Sequence, residues 1–487
     1  MIVLKDILYK VNLERVIGDT SIAIHKIQFD SRLIKTNDLF VAIKGEVTDG
    51  HRYIEKAVDL GAIAVICEKL PSNTKEGVTY VEVTDSQKSL AYLASNYYEV
   101  PSENLKLIGI TGTNGKTTIA SLLFQLFKNA GFKVGLLSTV KISIDDKEYD
   151  ATHTTPDSLT INKYLAEMSE AGVEFCFMEV SSHGIAQKRI EGLQFAGGVF
   201  TNLSHDHLDY HKTFKEYRDV KKQFFDGLSS SAFALTNADD KNGNYMLQNC
   251  KGKKYAYALK SYADYRGQIL ENSLNGLLLK INDREVWTKL IGDFNGYNLL
   301  AIYGVADQLG LEPVEILQLL SELNSVSGRF QYTISKQKIT AIVDYAHTPD
   351  ALTNVLATIN SIRTNNETLI TVVGCGGDRD TEKRPVMGGI AAAMSNKVIF
   401  TSDNPRTEDP EKILKQIEKG VAPNDYKKVL SITDRKQAIK TACQLADKDD
   451  IILVAGKGHE TYQETNGKRI DFDDFKIVRE ELSKMGK

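Results

Sequence analysis

The segment whose composition and spacing most directly specify chemistry is Gly112-Thr113-Asn114-Gly115-Lys116-Thr117-Thr118. Its glycines let backbone N–H groups approach an anion, Lys116 can neutralise that anion, and the hydroxyl after the lysine can ligate Mg²⁺. The common phosphate-loop pattern has a glycine five residues before Gly115. Ile110 stands there, and Gly112 gives a shorter Gly-x-x-Gly-Lys-Thr. The flanks supply the context such a loop needs. Leu105, Leu107, Ile108 and Ile110 read as a buried strand. Ile119, Leu122, Leu123 and Leu126 recur at i, i+3, i+4 and i+7, one face of a helix. Strand, glycine-rich loop and helix in that order predict ATP as a ligand.

A second cluster follows. Glu179-Val180-Ser181-Ser182-His183-Gly184 ends an apolar run, Phe175 to Met178, and His205-Asp206-His207-Leu208-Asp209-Tyr210-His211 lies downstream. Carboxylates and imidazoles near a phosphate loop point to a cation. Zinc lacks a cysteine set and a His-Glu-x-x-His helix. Magnesium prefers oxygen ligands together with phosphate oxygens and suits the segment better. Taken singly, a histidine such as His183, His205 or His211 is more often a helix-surface or hydrogen-bonded core residue.

The third set lies near the C-terminus, in three loops that each follow an apolar run: Gly374-Cys375-Gly376-Gly377-Asp378-Arg379, Ser402-Asp403-Asn404-Pro405-Arg406 and Gly456-Lys457-Gly458-His459-Glu460. In open α/β sheets, ligands sit outside the carboxyl ends of strands. Two arginines and a glutamate there describe a charged pocket; the plainer alternative is three solvated turns.

These residues need elements to hold them. Strands are expected at Thr340 to Tyr345, Leu369 to Val373, Lys397 to Thr401, Val429 to Ile432 and Ile451 to Ala455. A helix from Glu411 places Ile413, Leu414, Ile417 and Val421 on one face. The alternation predicts a parallel sheet covered by helices. A chain of 487 residues exceeds one core. Three blocks are expected: 1–102, 103–328 and 329–487, the first ending at Val100-Pro101-Ser102-Glu103-Asn104. The predicted fold class is α/β in three domains, with a central P-loop-type parallel sheet and a C-terminal Rossmann-like doubly wound sheet.

Composition narrows the function. Apolar residues make up 42% and charged residues 25%, with a net charge of −4. Lysines and arginines are scattered, so no nucleic-acid partner is expected. The five cysteines are far apart and form no Cys-x-x-Cys pair, which suits a reducing cytoplasm. Met1 to Asp19 mixes charges among apolar residues and predicts neither signal peptide nor anchor. No run is long enough for a membrane span.

As a set, several motifs resemble the Mur ligases, ATP-dependent amino-acid ligases of peptidoglycan precursor synthesis. They are the phosphate loop, Thr201-Asn202-Leu203 with Asp206-His207-Leu208-Asp209-Tyr210-His211, Asn295-Gly296-Tyr297-Asn298, Gly328-Arg329 and Asp344-Tyr345-Ala346-His347-Thr348-Pro349. Asp30-Ser31-Arg32, Leu39 to Gly45 and Asp49-Gly50-His51 look like the UDP-binding domain of the member that adds the third stem residue. The short phosphate loop is the family's usual form. The resemblance implies that 1–102 binds UDP, 103–328 binds ATP and 329–487 binds an amino acid.

What the resemblance implies for individual residues is specific. Gly112, Thr113, Asn114, Gly115, Lys116, Thr117 and Thr118 would bind ATP. Lys116, Lys221 and His207 would be catalytic. Thr117, Glu179, His207 and Lys221 would surround magnesium, Lys221 as a carbamate (N6-carboxylysine), because an ammonium repels Mg²⁺ whereas a carbamate offers it oxygens. His211, Tyr217 and Lys221 fit the family spacing, and Lys222 is the competing lysine. By residue pattern alone, Lys221 is a helix-surface lysine. Ser31, Thr154, Thr155, Ser181, Gln187 and Arg189 would hold the sugar-peptide. His153 stands where the family often has asparagine.

Enzymes of this kind add either meso-diaminopimelate or L-lysine, which differ by one distal carboxylate. Asp403-Asn404-Pro405-Arg406 looks like the diaminopimelate form. A buried Arg406 could grip that carboxylate bidentately, supported by Arg379, while Glu460 and the Gly456 backbone take the distal ammonium. Discrimination against lysine would reach roughly 10⁴-fold. The alternative is that Arg406 pairs with Glu408 or Asp409. The expected protein is a cytoplasmic monomer using ATP, Mg²⁺ and small-molecule substrates. A ligase of the same architecture adding lysine or glutamate, or a non-catalytic nucleotide-binding protein, stays open at this point.

Overall fold

The computed structural model describes residues 2–45, 48–204 and 208–487, with the side chains of Leu208 and Asp209 excepted. Two compact units divide at Ala256: Met1–Ala256 and Tyr257–Lys487. The division falls inside the block 103–328 expected from sequence. Residues 1–102 join the first unit because helix Ser86–Tyr97 packs on helix Ser158–Glu170.

Besides a two-stranded pairing of Ile2–Val3 with Ala23–Ile24, the first unit holds two larger sheets. In the smaller, strands run in the order Leu13–Ile17, Thr79–Val83, Ala62–Cys67, Asp38–Val41, Ile27–Gln28, with only the first antiparallel to its neighbour. In the larger, the order is Lys147–Asp150, Lys141–Ile144, Val134–Leu137, Phe175–Glu179, Lys106–Thr111, Gly197–Phe200, Phe233–Asn237. The last five are parallel, and the hairpin 141–150 closes one edge. Strand Lys106–Thr111 is central and buried on both faces, so it reads as a continuous apolar run. Helix Lys116–Asn129 follows it, and Ile119, Leu122, Leu123 and Leu126 are fully buried as their spacing predicts.

The second unit begins with an antiparallel meander, Tyr265–Ser273, Gly276–Ile281 and Arg284–Thr288, which periodicity alone did not reveal. Helices Asp293–Gln308 and Pro313–Glu322 follow. Then comes a six-stranded sheet in the order Gln331–Ile334, Thr340–Asp344, Ile451–Ala455, Leu369–Val373, Lys397–Phe400, Val429–Ser431. All are parallel except the first. The last of its strands in chain order, Ile451–Ala455, enters the middle of this sheet. That order brings four loops to neighbouring carboxyl ends. Apolar cores cover both faces, one including Val355, Leu356, Ile413 and Ile417, the other including Ile439, Cys443, Val478 and Leu482. The sheet is doubly wound.

Candidate active site

The phosphate loop is a strained turn braced from one side. Gly112 has φ +148 and Gly115 φ +90. A Cβ on Gly112 would collide with Thr201 Oγ1 and lie 3.0 Å from the Asn202 carbonyl oxygen. Thr113 N donates to that oxygen at 2.8 Å, Asn114 N donates to Asn202 Oδ1 at 3.0 Å, and Thr201 Oγ1 donates to the Asn114 carbonyl at 2.6 Å. Thr201 and Asn202 therefore shape the loop. Their part is visible only when the strands ending at Thr111 and Phe200 are seen side by side.

Two lysines converge on one carbonyl of this loop. Lys116 Nζ donates to Gly112 O at 3.0 Å and to Thr113 O at 2.7 Å, and Lys221 Nζ donates to Gly112 O at 2.9 Å. Lys221 is 1% exposed, so the helix-surface reading of its sequence is corrected. The signal was present: in helix Phe214–Asp226 it shares a face with Tyr217, Phe224 and Phe225, all buried. Thr213 caps that helix by accepting from Glu216 N at 3.1 Å. Lys222 turns away, to Asp226 at 2.6 Å. Tyr217 OH lies 3.1 Å from Thr113 Oγ1, and the Lys221 ammonium sits 4.8 Å from the Tyr217 ring centroid.

A chain of hydroxyls leads from the loop to the residues expected to hold a sugar-peptide. Thr117 Oγ1 donates to Glu179 Oε2 at 2.9 Å, and Thr139 N to Glu179 Oε1 at 2.7 Å. Glu179 ends its strand fully buried. Thr139 Oγ1 donates to Thr154 Oγ1 at 3.0 Å. Thr155 Oγ1 donates to the Glu179 carbonyl at 2.8 Å and accepts from Ser181 N at 2.9 Å. Arg189 Nη1 reaches Thr155 O at 2.5 Å, while its Nε and Nη2 hold Gln187 Oε1. Thr154, Thr155, Ser181, Gln187 and Arg189 are thus one network with Glu179. Ser31 is buried in a short turn where Asp30 accepts from Arg32 N and pairs with its guanidinium. His153 is exposed beside Thr152. The His183 ring lies 5.7 Å from that of His211 at a tilt of 59°, and His211 lies 5.3 Å from Tyr217. His207, with His205 and Asp206, lies outside the described residues. Among the described residues, no group of three histidine, cysteine or acidic side chains is gathered as for a metal ion. The gathered oxygens of Thr117 and Glu179, beside the phosphate loop, are a donor set that suits magnesium.

In the second unit, the loops after Asp344, Ala455, Val373 and Phe400 meet. Asn404 joins the last three of them. Its carbonyl accepts from Gly377 N at 2.9 Å, its Oδ1 accepts from Lys457 Nζ at 3.0 Å and Glu464 N at 2.9 Å, and its Nδ2 donates to Glu460 Oε2 at 2.7 Å. Gly456, φ +116, lies against Asp403, where a Cβ would stand 2.7 Å from Oδ2. Pro405 presses its carbonyl on Gly377, where a Cβ would collide with it. Arg406 takes φ +50, and its Nη1 donates to Gly377 O at 2.7 Å. Arg379 is exposed, with no polar partner among the described residues.

Three family profiles match the chain in order: a Mur ligase family catalytic domain over 23–99, a Mur ligase middle domain over 110–306, and a Mur ligase glutamate ligase domain over 328–458. The chain belongs to the Mur ligase family. It is 53% identical over 485 residues to the UDP-N-acetylmuramoyl-L-alanyl-D-glutamate–2,6-diaminopimelate ligase of Cytophaga hutchinsonii, covering 99% of this chain and 100% of the relative. It is 51% identical over 480 residues to the ligase of the same name from Bacteroides fragilis, covering 99% of each. A solved structure of a protein of that name superimposes with a TM-score of 0.71 at 32% identity, covering 100% of this chain and 99% of the other. The MurF ligase of Thermotoga maritima, solved with ADP, shares the fold at a TM-score of 0.61 and 19% identity, covering 94% and 97%.

In this Mur ligase the amino-acid loops differ from the sequence expectation in the burial of Arg406, and the alternative pairing of that arginine is not seen. Arg406 is half-buried rather than buried, because its own N–H and C=O are tied to Glu464 O and Asn466 N of a hairpin, Tyr462–Thr465 with Lys468–Asp471. That hairpin went unseen in the sequence. Arg406 also does not take Glu408 or Asp409. Glu408 is claimed by Arg384, a fully buried guanidinium that grips it with two bonds of 2.8 Å, and this pairing pins the Glu408 carboxyl down to about 2. Asp409 caps helix Pro410–Glu418. Arg384 and Lys457 were both missed. A charged residue on an otherwise apolar helix face, Arg384 with Met387 and Ala391, is the signal that could have found the first.

A second group lines the same end of the sheet. Arg329 lies 4.6 Å over the Tyr345 ring, and Tyr345 stacks 5.1 Å from His459. Burial, with Arg329 and Lys457 adding to it, pulls the His459 imidazole down to about 4, so it is neutral at ordinary pH. Burial pushes the Asp344 carboxyl up, opposed by Arg329. Among the described residues no helix is long and apolar enough to cross a membrane.

Proposed function

We propose that this Mur ligase joins meso-diaminopimelate to the D-glutamate of UDP-N-acetylmuramoyl-L-alanyl-D-glutamate, using ATP and passing through an acyl phosphate. A carboxylate is a poor electrophile because oxide would have to leave. Transfer of the γ-phosphoryl group of ATP to it gives an acyl phosphate and ADP; the incoming amine then displaces phosphate and an amide forms. Most of the catalysis is positioning and charge neutralisation.

In this reading Gly112 to Thr118 cradle the ATP phosphates, with Lys116 leaving its backbone carbonyls for them. Thr117, Glu179, His207 and Lys221 hold magnesium, Lys221 after carbamylation; magnesium, when bound, neutralises phosphate charge. Ser31, Thr154, Thr155, Ser181, Gln187 and Arg189 orient the UDP-sugar-peptide. Arg379, Asp403, Asn404, Pro405, Arg406, Gly456 and Glu460 read the amino acid. Three functional domains, 1–102, 103–328 and 329–487, divide these tasks in a cytoplasmic monomer.

The observation that carries the choice of amino acid is the joining of the Arg406 loop to Glu460 through Asn404, a cation and an anion on loops that follow strands either side of Leu369–Val373. A lone lysine side chain has an ammonium for Glu460 but nothing for Arg406. Phosphate release by the purified protein, supplied with ATP, the UDP-dipeptide and diaminopimelate, lysine or glutamate in turn, tests the proposal. It fails if lysine or glutamate is used as well as diaminopimelate, or if release ignores both dipeptide and amino acid.

A further inference from the structure

We propose that Lys457 is a positioning residue for amino-acid selection: it holds one oxygen of Glu460 so that the other is presented to the substrate's distal ammonium. The inference rests on the reading of Glu460 as that ammonium's acceptor.

Lys457 is fully buried. Its Nζ donates to Glu460 Oε2 at 2.9 Å and to Asn404 Oδ1 at 3.0 Å, and it lies 5.4 Å from the Tyr462 ring centroid. The ammonium thus has two hydrogen-bond acceptors and an aromatic ring nearby. Asn404 completes a triangle by donating Nδ2 to the same Oε2. Its amide orientation is fixed, because Lys457 and Glu464 N both donate to Oδ1. Oε2 is therefore doubly bound, whereas Glu460 Oε1 has no polar partner among the described residues, on a side chain that is 17% exposed. The turn that achieves this is local: Glu460 N donates to Lys457 O across Gly458, whose φ is +54.

A buried ammonium costs more than an apolar chain of the same volume, so shaping this turn alone does not call for a lysine. What the ammonium adds is a fixed carboxylate. Without it Glu460 would keep only Asn404 and could swing, and the substrate's distal amine would meet a mobile acceptor.

The test is steady-state kinetics of the whole enzyme with Lys457→Met, Glu460→Gln and the double variant, using diaminopimelate and 2-aminopimelate, which keeps the distal carboxylate and lacks the distal amine. Lys457→Met should raise the KM for diaminopimelate about tenfold, leave the KM for ATP and the UDP-dipeptide unchanged, and erase much of the preference over 2-aminopimelate. The double variant should be no worse than Glu460→Gln. Equal loss with both amino acids, or losses that multiply in the double variant, overturns the inference. A methionine variant that does not fold, with Lys457→Gln failing likewise, also overturns it, since the lysine is then structural. If Glu460→Gln raises the KM and Lys457→Met does not, only this inference falls. If Glu460→Gln leaves the KM unchanged, the reading of Glu460 itself falls.

Discussion

Lys116 and Lys221, far apart in the chain, donate to the same carbonyl oxygen, that of Gly112, at 3.0 and 2.9 Å. The shared oxygen sets Lys221 directly beside the phosphate loop. It also separates Lys221 from its neighbour Lys222, which is paired to Asp226.

Lys221→Ala should therefore lower ligation by about 10²-fold or more, as loss of a residue that orients a metal's ligands does. A short carboxylate in the assay should restore part of the rate by standing in for the carbamate. Lys222→Ala should cost about 1 kcal/mol of stability at most and leave turnover near the parent value. Equal damage from both substitutions, measured in one phosphate-release assay, contradicts the assignment.

Glu179 accepts from Thr117 through one carboxylate oxygen and from Thr139 N through the other. Glu179→Gln keeps the shape but removes the charge. The magnesium concentration for half-maximal activity should rise about 10- to 100-fold, with the KM for diaminopimelate unaltered. A magnesium titration of the variant that overlays the parent curve rules out a metal role.

Arg406 rests on Gly377 O, so removing its ligand does not strand a guanidinium without any acceptor. The discrimination it supplies should fall below the roughly 10⁴-fold of a sealed polar site. Arg406→Ala should cut kcat/KM for diaminopimelate by about 10²-fold, equivalent to one strong charge-assisted pair, and leave lysine turnover at its low level. Unchanged use of diaminopimelate would remove Arg406 from the specificity site.

His459 gives a pH signature. Its folded value of about 4 lies below the ordinary 6.5, because burial and then Arg329 disfavour the imidazolium. Between those values the unfolded chain binds the extra proton, so stability falls as pH drops from about 6.5 to about 4. His459→Gln should flatten that stretch of a denaturation-midpoint curve; an unaltered slope shows that other groups carry it.

Glu408 acts at lower pH. Arg384 holds its folded value near 2, against 4.5 ordinarily. A depressed carboxylate contributes stability above its unfolded value and loses it as pH falls towards the folded one. The stability gap between the parent and Glu408→Gln should be constant above about pH 5 and narrow between about 4.5 and 2. A gap that widens on acidification refutes the pairing.

How much of this was legible beforehand varied by site. The phosphate loop was plain because its chemistry is contiguous: strand 106–111, the turn and helix 116–129 are local, and local periodicity reports them. The five parallel strands of the six-stranded sheet were legible for the same reason, each being a short apolar run bounded by polar loops, and all but the edge strand Val429–Ser431 being largely buried. The meander 265–288 and the hairpin 462–471 were not. Their exposed faces are polar and their alternation is broken, so neither period stands out.

By itself the sequence determined which loop meets phosphate, which segments become strands, and which residue types are available at 403–406 and 456–460. Tertiary structure decided the partners. Lys221 is buried against Gly112 rather than solvated, Glu408 belongs to Arg384 rather than Arg406, and Lys457 holds Glu460. The physical reason is that a buried charge must find its counterpart wherever packing puts it, and strand order, not sequence distance, brings those groups together.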